Sequence, residues 1–382
     1  MVERGPLREV ILLFLKLGFI GFGGPAAHIA MMRQETVSRR KWLGEQAFLD
    51  LLGAASLIPG PSSTELGIYL GYKRAGWRGL IAAGVCFITP AMVIVLAIAW
   101  LYVQYGRTPA GEQLLYGIKP AVVAIVVQAL WSLGRTAVKA RWYLAIGILA
   151  AVLYVLGAMP LALLAAGGIA AMLVAMARGA SRPKLEAALG ILSLPTLARA
   201  ANTAVPGVDL TQLFLLFLKF GAIVFGSGYV LLAFLRGDLV TDLHWLTDQQ
   251  LLDAVAVGQF TPGPVFTTAT FIGYVVAGFP GALLATLGIF LPGFLFVPLI
   301  DLGMRRIQGS AAARAFLDGV NVAALGLMAG VTYQLARAAV IDPLTAAILI
   351  VATVGVFRLR LNAAWLVAGG GAFGLLHMAL VR

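Results

Sequence analysis

FLKLGFIGFGG, residues 14–24, is written a second time 203 residues further on as FLKFGAIVFGS, residues 217–227. The correspondence runs without a gap from Phe14 to Pro61 and from Phe217 to Pro264. Lys16 falls on Lys219, Gly18 on Gly221, Gly23 on Gly226, Arg33 on Arg236 and Asp50 on Asp253. Pro59-Gly60-Pro61 falls on Pro262-Gly263-Pro264. With a slip of one residue the match continues through Gly71-Tyr72 and Gly273-Tyr274, then Pro90 and Pro292, then Gly117 and Gly319. The chain is therefore two copies of one unit of roughly 180 residues, and a repeat of that length governs the fold. The expected division is a first half over 1–180, a connector over 181–209 and a second half over 210–382.

Composition places both halves in a membrane. Hydrophobic residues make up 61% of the 382, charged ones 12%, and the mean hydropathy is +0.95. One soluble core cannot take up that much apolar side chain. Apolar runs of membrane length recur between short charged loops. Glu3 and Glu9 interrupt any positive leader region, so the amino terminus does not read as a removable signal. The single cysteine, Cys86, excludes an internal disulfide and a multi-cysteine metal site. His28, His244 and His377 lack metal-ligand spacing. No zincin, Walker or nucleophile-elbow motif is present, so neither an enzyme nor a cofactor is expected. The GxGxxG match at Gly369–Gly374 lies inside an apolar run and reads as close-packing glycine. The net charge of +12 sits between membrane segments, where it sets topology and does not call for nucleic acid.

Along the first half, an apolar segment from Leu7 to Met32 is interrupted at Gly21-Phe22-Gly23-Gly24-Pro25, a sequence that unwinds a helix and restarts it. It is expected as one broken span, with the amino terminus outside. Trp42–Tyr72 is split by Pro59-Gly60-Pro61 and flanked by cations at both ends, the pattern of a re-entrant hairpin with this tripeptide at its tip. Four further spans complete the half, and the second half repeats the series. The predicted fold is an all-α integral membrane protein with about five spans and one re-entrant helical hairpin per half. Leu185–Ala200 in the connector reads as a surface amphipathic helix.

Five crossings per half make the halves insert in opposite senses. Counted that way, 19 of the 28 Lys and Arg fall on the side of the first basic loop and 6 on the other. That bias makes the first side cytoplasmic. An inverted repeat is the usual architecture of secondary transporters.

Lys16 and Lys219 carry the sharpest chemical signal. A lysine at mid-span costs about 2.5–3.5 kcal/mol on insertion scales and is expected to face a partner or an aqueous cavity. Pairing with a carboxylate or snorkelling to the interface is the structural alternative. Lys119, whose repeat counterpart is Asn321, is a weaker third candidate. A helix restarting after Gly23-Gly24 or after Pro61 points free amides and its positive dipole end into the membrane. Ser62, Ser63 and Thr64 follow the first Pro-Gly-Pro, and Thr267, Thr268 and Thr270 follow the second. Hydroxyls beside such amides make an anion site, or they serve only as helix caps. The candidate substrate-binding set is therefore Lys16, Gly23, Gly24, Pro59, Gly60, Pro61, Ser62 and Ser63, with Lys219, Gly226, Ser227, Pro262, Gly263, Pro264 and Thr267. Glu65, which has Thr268 at its repeat position, is a candidate proton carrier or a salt-bridge partner for a lysine. Asp50 and Asp253 read as capping or pairing groups.

FLKLGFIGFGGP at 14–25, KWLGEQAFLD at 41–50 and LIPGPSSTELGIYLGY at 57–72, with their second-half counterparts, resemble the chromate ion transporters in their long, two-half form. The resemblance covers nearly the whole chain. It implies a multi-pass carrier of the cytoplasmic membrane that exports chromate, confers resistance and draws on the membrane potential or a proton gradient. Sulfate is the implied alternative substrate, and a homodimer is a further expectation. In the second half FGSG replaces FGGP and VFTT replaces SSTE, so the halves need not contribute equally. The residues alone stop at a carrier for a small anion. A lipid-handling or scaffold protein, in which Gly67 and Gly71 merely pack helices, is the alternative.

Overall fold

The computed structural model describes residues 5–56, 58–178, 208–224, 230–307 and 311–381. Gly226, Ser227 and the expected connector helix lie outside them. Among the described residues every regular element is helical. The first half holds α1 (Leu7–Ile20), α2 (Gly24–Arg33), a π-helical turn (Gln34–Arg39), α3 (Glu45–Ala55), α4 (Ser62–Tyr105), α5 (Pro109–Ala137), α6 (Arg141–Val155) and α7 (Pro160–Ala177). The second holds α8 (Leu210–Ile223), α9 (Leu231–Leu235), a π-helical turn (Arg236–Asp242), α10 (Asp248–Phe260), α11 (Thr268–Ile307), α12 (Ala311–Ala339), α13 (Pro343–Phe357) and α14 (Ala363–Val381). Six of these helices are long and apolar enough to cross a membrane.

Two of the longest are themselves hairpins. Gly76 (φ 61°, ψ −149°) in α4 and Gly278 (φ 64°, ψ −155°) in α11 adopt a conformation open in practice only to glycine. There the chain doubles back, so Gly71 packs on the backbone of Gly79, and Gly273 on that of Gly281. Each hairpin is a short arm from the Pro-Gly-Pro tip followed by a long crossing arm.

The expected broken span over Leu7–Met32 is corrected. Gly23 (φ 103°) and Gly24 (φ 73°) reverse the chain, and the arms on either side have 14 and 10 residues. At 1.5 Å per residue they reach about 21 and 15 Å, short of a hydrocarbon core of about 30 Å. Both outer ends return to one face. The Gly5 N–H donates to the Arg74 carbonyl (3.0 Å), Arg74 pairs with Glu9 (2.9 Å) and stacks over Trp42 (5.1 Å), and Arg33 pairs with Glu45 (2.6 Å). The described amino-terminal end therefore sits on the same face as the first basic loop, not opposite it.

The two halves are interlocked. α6 and α7 pack on α12 of the second half, while α13 and α14 pack on α5 of the first. Gly370 and Gly374 let α14 lie against the backbone of Gly117 and Gln113, so the apparent nucleotide motif is helix packing. One apolar cluster runs through both halves, from Val95 and Val122 to Phe271 and Val331.

Candidate functional site

The breaks expected in each half meet at one junction, and they do so crosswise. The Gly60 N–H, at the first Pro-Gly-Pro tip, donates to the carbonyl of Val224 where α8 ends (2.5 Å). The Gly263 N–H, at the second tip, donates to the carbonyl of Gly21 where α1 ends (2.8 Å). Gly60 and Gly263 are repeat equivalents, as are Gly21 and Val224. Each helix break thus has its unpaired carbonyl satisfied by the hairpin tip of the other half, as non-helical backbone inside a membrane requires.

Around this symmetric backbone the side chains are not symmetric. His28, 1% exposed, directs Nε2 to the Gly21 carbonyl (2.8 Å) and Nδ1 to the Ser63 hydroxyl (3.3 Å). Glu65, also 1% exposed, packs its Oε1 over Gly60, while its Oε2 has no hydrogen-bond partner among the described residues. The buried Thr64 hydroxyl is likewise unpartnered among them. In the second half the equivalents of His28, Ser63 and Glu65 are Leu231, Phe266 and Thr268. Thr267 and Thr268 there close on the carbonyls of Pro264 (2.7 Å) and Val265 (2.8 Å). The unspent polar capacity of the junction therefore lies in the first half. Sequence reasoning passes over His28 because it is remote from other histidines. Its signal is its place just after the glycine break, opposite a leucine in the repeat.

The lysines are not at the tips. Lys16 pairs with Glu35 (2.8 Å), a carboxylate that also takes Arg39 (2.8 Å) and Arg40 (3.4 Å). The hydrogen bond from Lys16, helped by both arginines, holds the Glu35 carboxyl below its ordinary range against the effect of burial. Lys219 pairs with Asp238 (2.6 Å). These pairs repeat at the same separation, as do Arg33–Glu45 and Arg236–Asp248 (2.6 and 2.7 Å). Lys119 reaches Asp253 on α10 (3.6 Å). Asp253 is buried, whereas its counterpart Asp50 is exposed and held by Gln46 (3.0 Å).

Comparison with known proteins places this architecture. The chromate transporter family model matches residues 8–173 and 211–375, the two halves in turn. The chain belongs to the chromate transporter family. A chromate transport protein of Cupriavidus metallidurans is 35% identical over 98% of this chain and 94% of its own length. A probable chromate transport protein of Synechococcus elongatus is 35% identical over 92% and 90%, and a chromate transport protein of Pseudomonas aeruginosa 33% over 85% and 80%. No solved structure matches the chain. Family membership makes this a multi-pass membrane transporter and not an enzyme. It does not favour the scaffold alternative.

Proposed function

We propose that the protein is a secondary transporter that carries chromate out across the cytoplasmic membrane and so confers chromate resistance. Sulfate, of the same shape and charge, is the competing substrate. The observation that carries this is the crosswise junction, where two hairpin tips and two helix breaks are held together by Gly60–Val224 and Gly263–Gly21. There the positive dipole end of α4 adjoins the Thr64 hydroxyl, which has no partner among the described residues, a setting suited to an oxyanion. Labelled chromate and sulfate offered to the purified protein in vesicles test the proposal, and vesicles that move neither refute it.

We further place the halves in opposite orientations, each with two re-entrant hairpins and four crossing arms, an arrangement that requires the segment joining them to pass from one side of the membrane to the other. With four crossings the parity argument from sequence no longer yields inversion, so contacts support it instead. Lys73–Asp301 (2.6 Å) and Lys139–Asp318 (2.7 Å) join the halves at one end of the bundle. Tyr116–Asp342 (2.7 Å) joins them at the other. Reporters fused at Gly76 and Gly278 are expected on opposite sides, with Gly76 cytoplasmic. Finding both on one side refutes the inversion.

Glu65 is assigned the coupling proton, since a lone buried carboxyl is costly to hold charged. Glu65→Gln is expected to flatten the pH dependence of flux and to leave anion binding intact. An unchanged pH profile returns Glu65 to a structural role.

A further inference from the structure

A cavity of about 1140 Å³ opens between α4, α5, α10 and α14 and ends on Thr261 and Pro262, at the second hairpin tip. Its walls are mostly apolar, among them Phe22, Ile98, Leu115 and Trp365. Asp253 is the one charged residue of that lining, and Lys119 meets it from beyond the wall. Asp253, 2% exposed, lines the cavity and accepts a hydrogen bond from the Tyr102 hydroxyl at Oδ2 (2.9 Å). Its Oδ1 faces the Lys119 ammonium at 3.6 Å and has no hydrogen-bond partner among the described residues. The pair is close enough to neutralise both charges but too long for a charge-assisted hydrogen bond.

Position in the repeat sets the pair apart from Lys16–Glu35 and Arg33–Glu45, which recur in the second half. Here Asn321 stands where Lys119 would be, and Asp50 is exposed. The pair bridges the halves, Lys119 from the first and Asp253 from the second, beside the tip that closes the cavity.

Resting on the transport proposal above, we infer that Lys119 is a docking cation for a tetrahedral dianion entering this cavity, and that Asp253 masks it until the carboxylate takes up a proton. Oδ1 is the atom that receives the proton, because Oδ2 is occupied by Tyr102. The carboxylate becomes a carboxylic acid, the proton comes from the aqueous medium through the cavity, and the ammonium keeps its charge throughout. Lys119 is then released to the anion. Each anion docked is accompanied by one proton, and by linkage the anion in turn favours protonation. Among the described residues, the ionisable groups that bear on Asp253 are Lys119 from α5 and Tyr102 from α4, with Arg107 acting on Tyr102 from the turn beyond. Glu65, at the first tip, is a separate group that governs flux and not docking.

Equilibrium binding of labelled sulfate to the whole detergent-purified protein, from pH 8 to pH 6, tests this, since sulfate keeps both charges over that range. Binding is expected to tighten as pH falls. In Asp253→Asn, a neutral mimic of the protonated acid, it should be tight at every pH. Lys119→Gln should weaken binding about ten- to a hundredfold, the loss of one charge-assisted hydrogen bond. The double variant, which removes both buried charges and so tests the idea even if one single variant misfolds, should bind weakly and without pH dependence. Asp253→Asn with the wild-type pH profile overturns the inference, as does normal binding by Lys119→Gln or by the double variant. Wild-type vesicles that move neither chromate nor sulfate overturn the transport proposal instead, so the two failures are distinguishable.

Discussion

Gly263→Ala is expected to abolish chromate transport while the protein still reaches the membrane. Gly263 has φ +88°, and an added Cβ would lie 2.6 Å from the Ala91 side chain. A left-handed conformation costs an L-residue about 1–2 kcal/mol, and overpacking a filled site typically adds about 1–3 kcal/mol. The methyl has little room to turn aside, because the Gly18 and Phe87 carbonyls lie 3.6 and 3.7 Å from the added carbon. Relief comes by moving the tip, which breaks the Gly263–Gly21 hydrogen bond. Gly60→Ala meets a backbone obstacle at φ +124°, and its methyl would also displace the Glu65 carboxyl. The control is Gly53→Ala in α3, an exposed helical glycine with no neighbour within 4 Å of the added carbon. Flux in vesicles at matched protein should fall at least tenfold for the two tip variants and stay near wild type for the control. Tip variants that transport like Gly53→Ala would show that the junction does not carry the anion.

Lys16→Ala and Lys219→Ala are each expected to insert, fold and lose most oxyanion transport. The folding half of that statement follows from exposure. The Lys16 and Lys219 side chains are 45% and 37% exposed, and ion pairs so placed contribute about 0–1 kcal/mol. The functional half follows from charge. Three cations share the single Glu35 carboxylate, leaving positive charge uncompensated at the turn that follows α2. A charge-assisted contact to an oxyanion is worth roughly 1.5–3 kcal/mol, so losing it weakens binding about ten- to a hundredfold. Lys16→Arg should be only partly tolerated, since a planar fork cannot replace a compact ammonium. Arg107→Ala, a turn cation, should matter little. The carboxylate partners separate an anion site from a structural pair. If the lysines serve the anion, Glu35→Gln and Asp238→Asn leave them available and transport persists. If the ion pairs themselves are what matters, these variants fail as the alanine variants do, and the lysine proposal falls.

Much of the architecture is legible in the duplication, because a repeat aligns equivalent positions of the two halves by residue number alone. The hairpin over Trp42–Tyr72 and the break at Gly21–Pro25 stand out as irregular backbone in an apolar run, which needs a partner. What that partner is cannot be read locally, since the partner of Gly60 is Val224 and that of Gly263 is Gly21, each in the opposite half. The return of α1 and α2 to one face is hidden for a different reason. A mainly apolar stretch of 26 residues has the length of a span, and only the contacts of Gly5 and Glu9 with Arg74 reveal that the length is spent on two short arms. The lysines look mid-span under that same miscount, whereas in the folded chain they meet carboxylates of the surface turns. Asp253 reads as a capping group in the sequence because its counterpart Asp50 is one of a common type. Its burial depends on α4 and α5 closing over it, which no local pattern encodes.

The crosswise hydrogen bonds also set an order of events during biosynthesis. When the first half leaves the ribosome, the Gly60 N–H has no partner yet and the Gly21 carbonyl has only His28, because Val224 and Gly263 are still to be translated. Open backbone groups in hydrocarbon cost several kcal/mol each, so the early half must wait with its tips near the aqueous boundary or under temporary protection. Only after about two hundred further residues have been inserted do both tips find their carbonyls. The centre of this transporter is thus the last part of it to form, and a chain cut off after α7 leaves the membrane with a wound that only the complementary half can close.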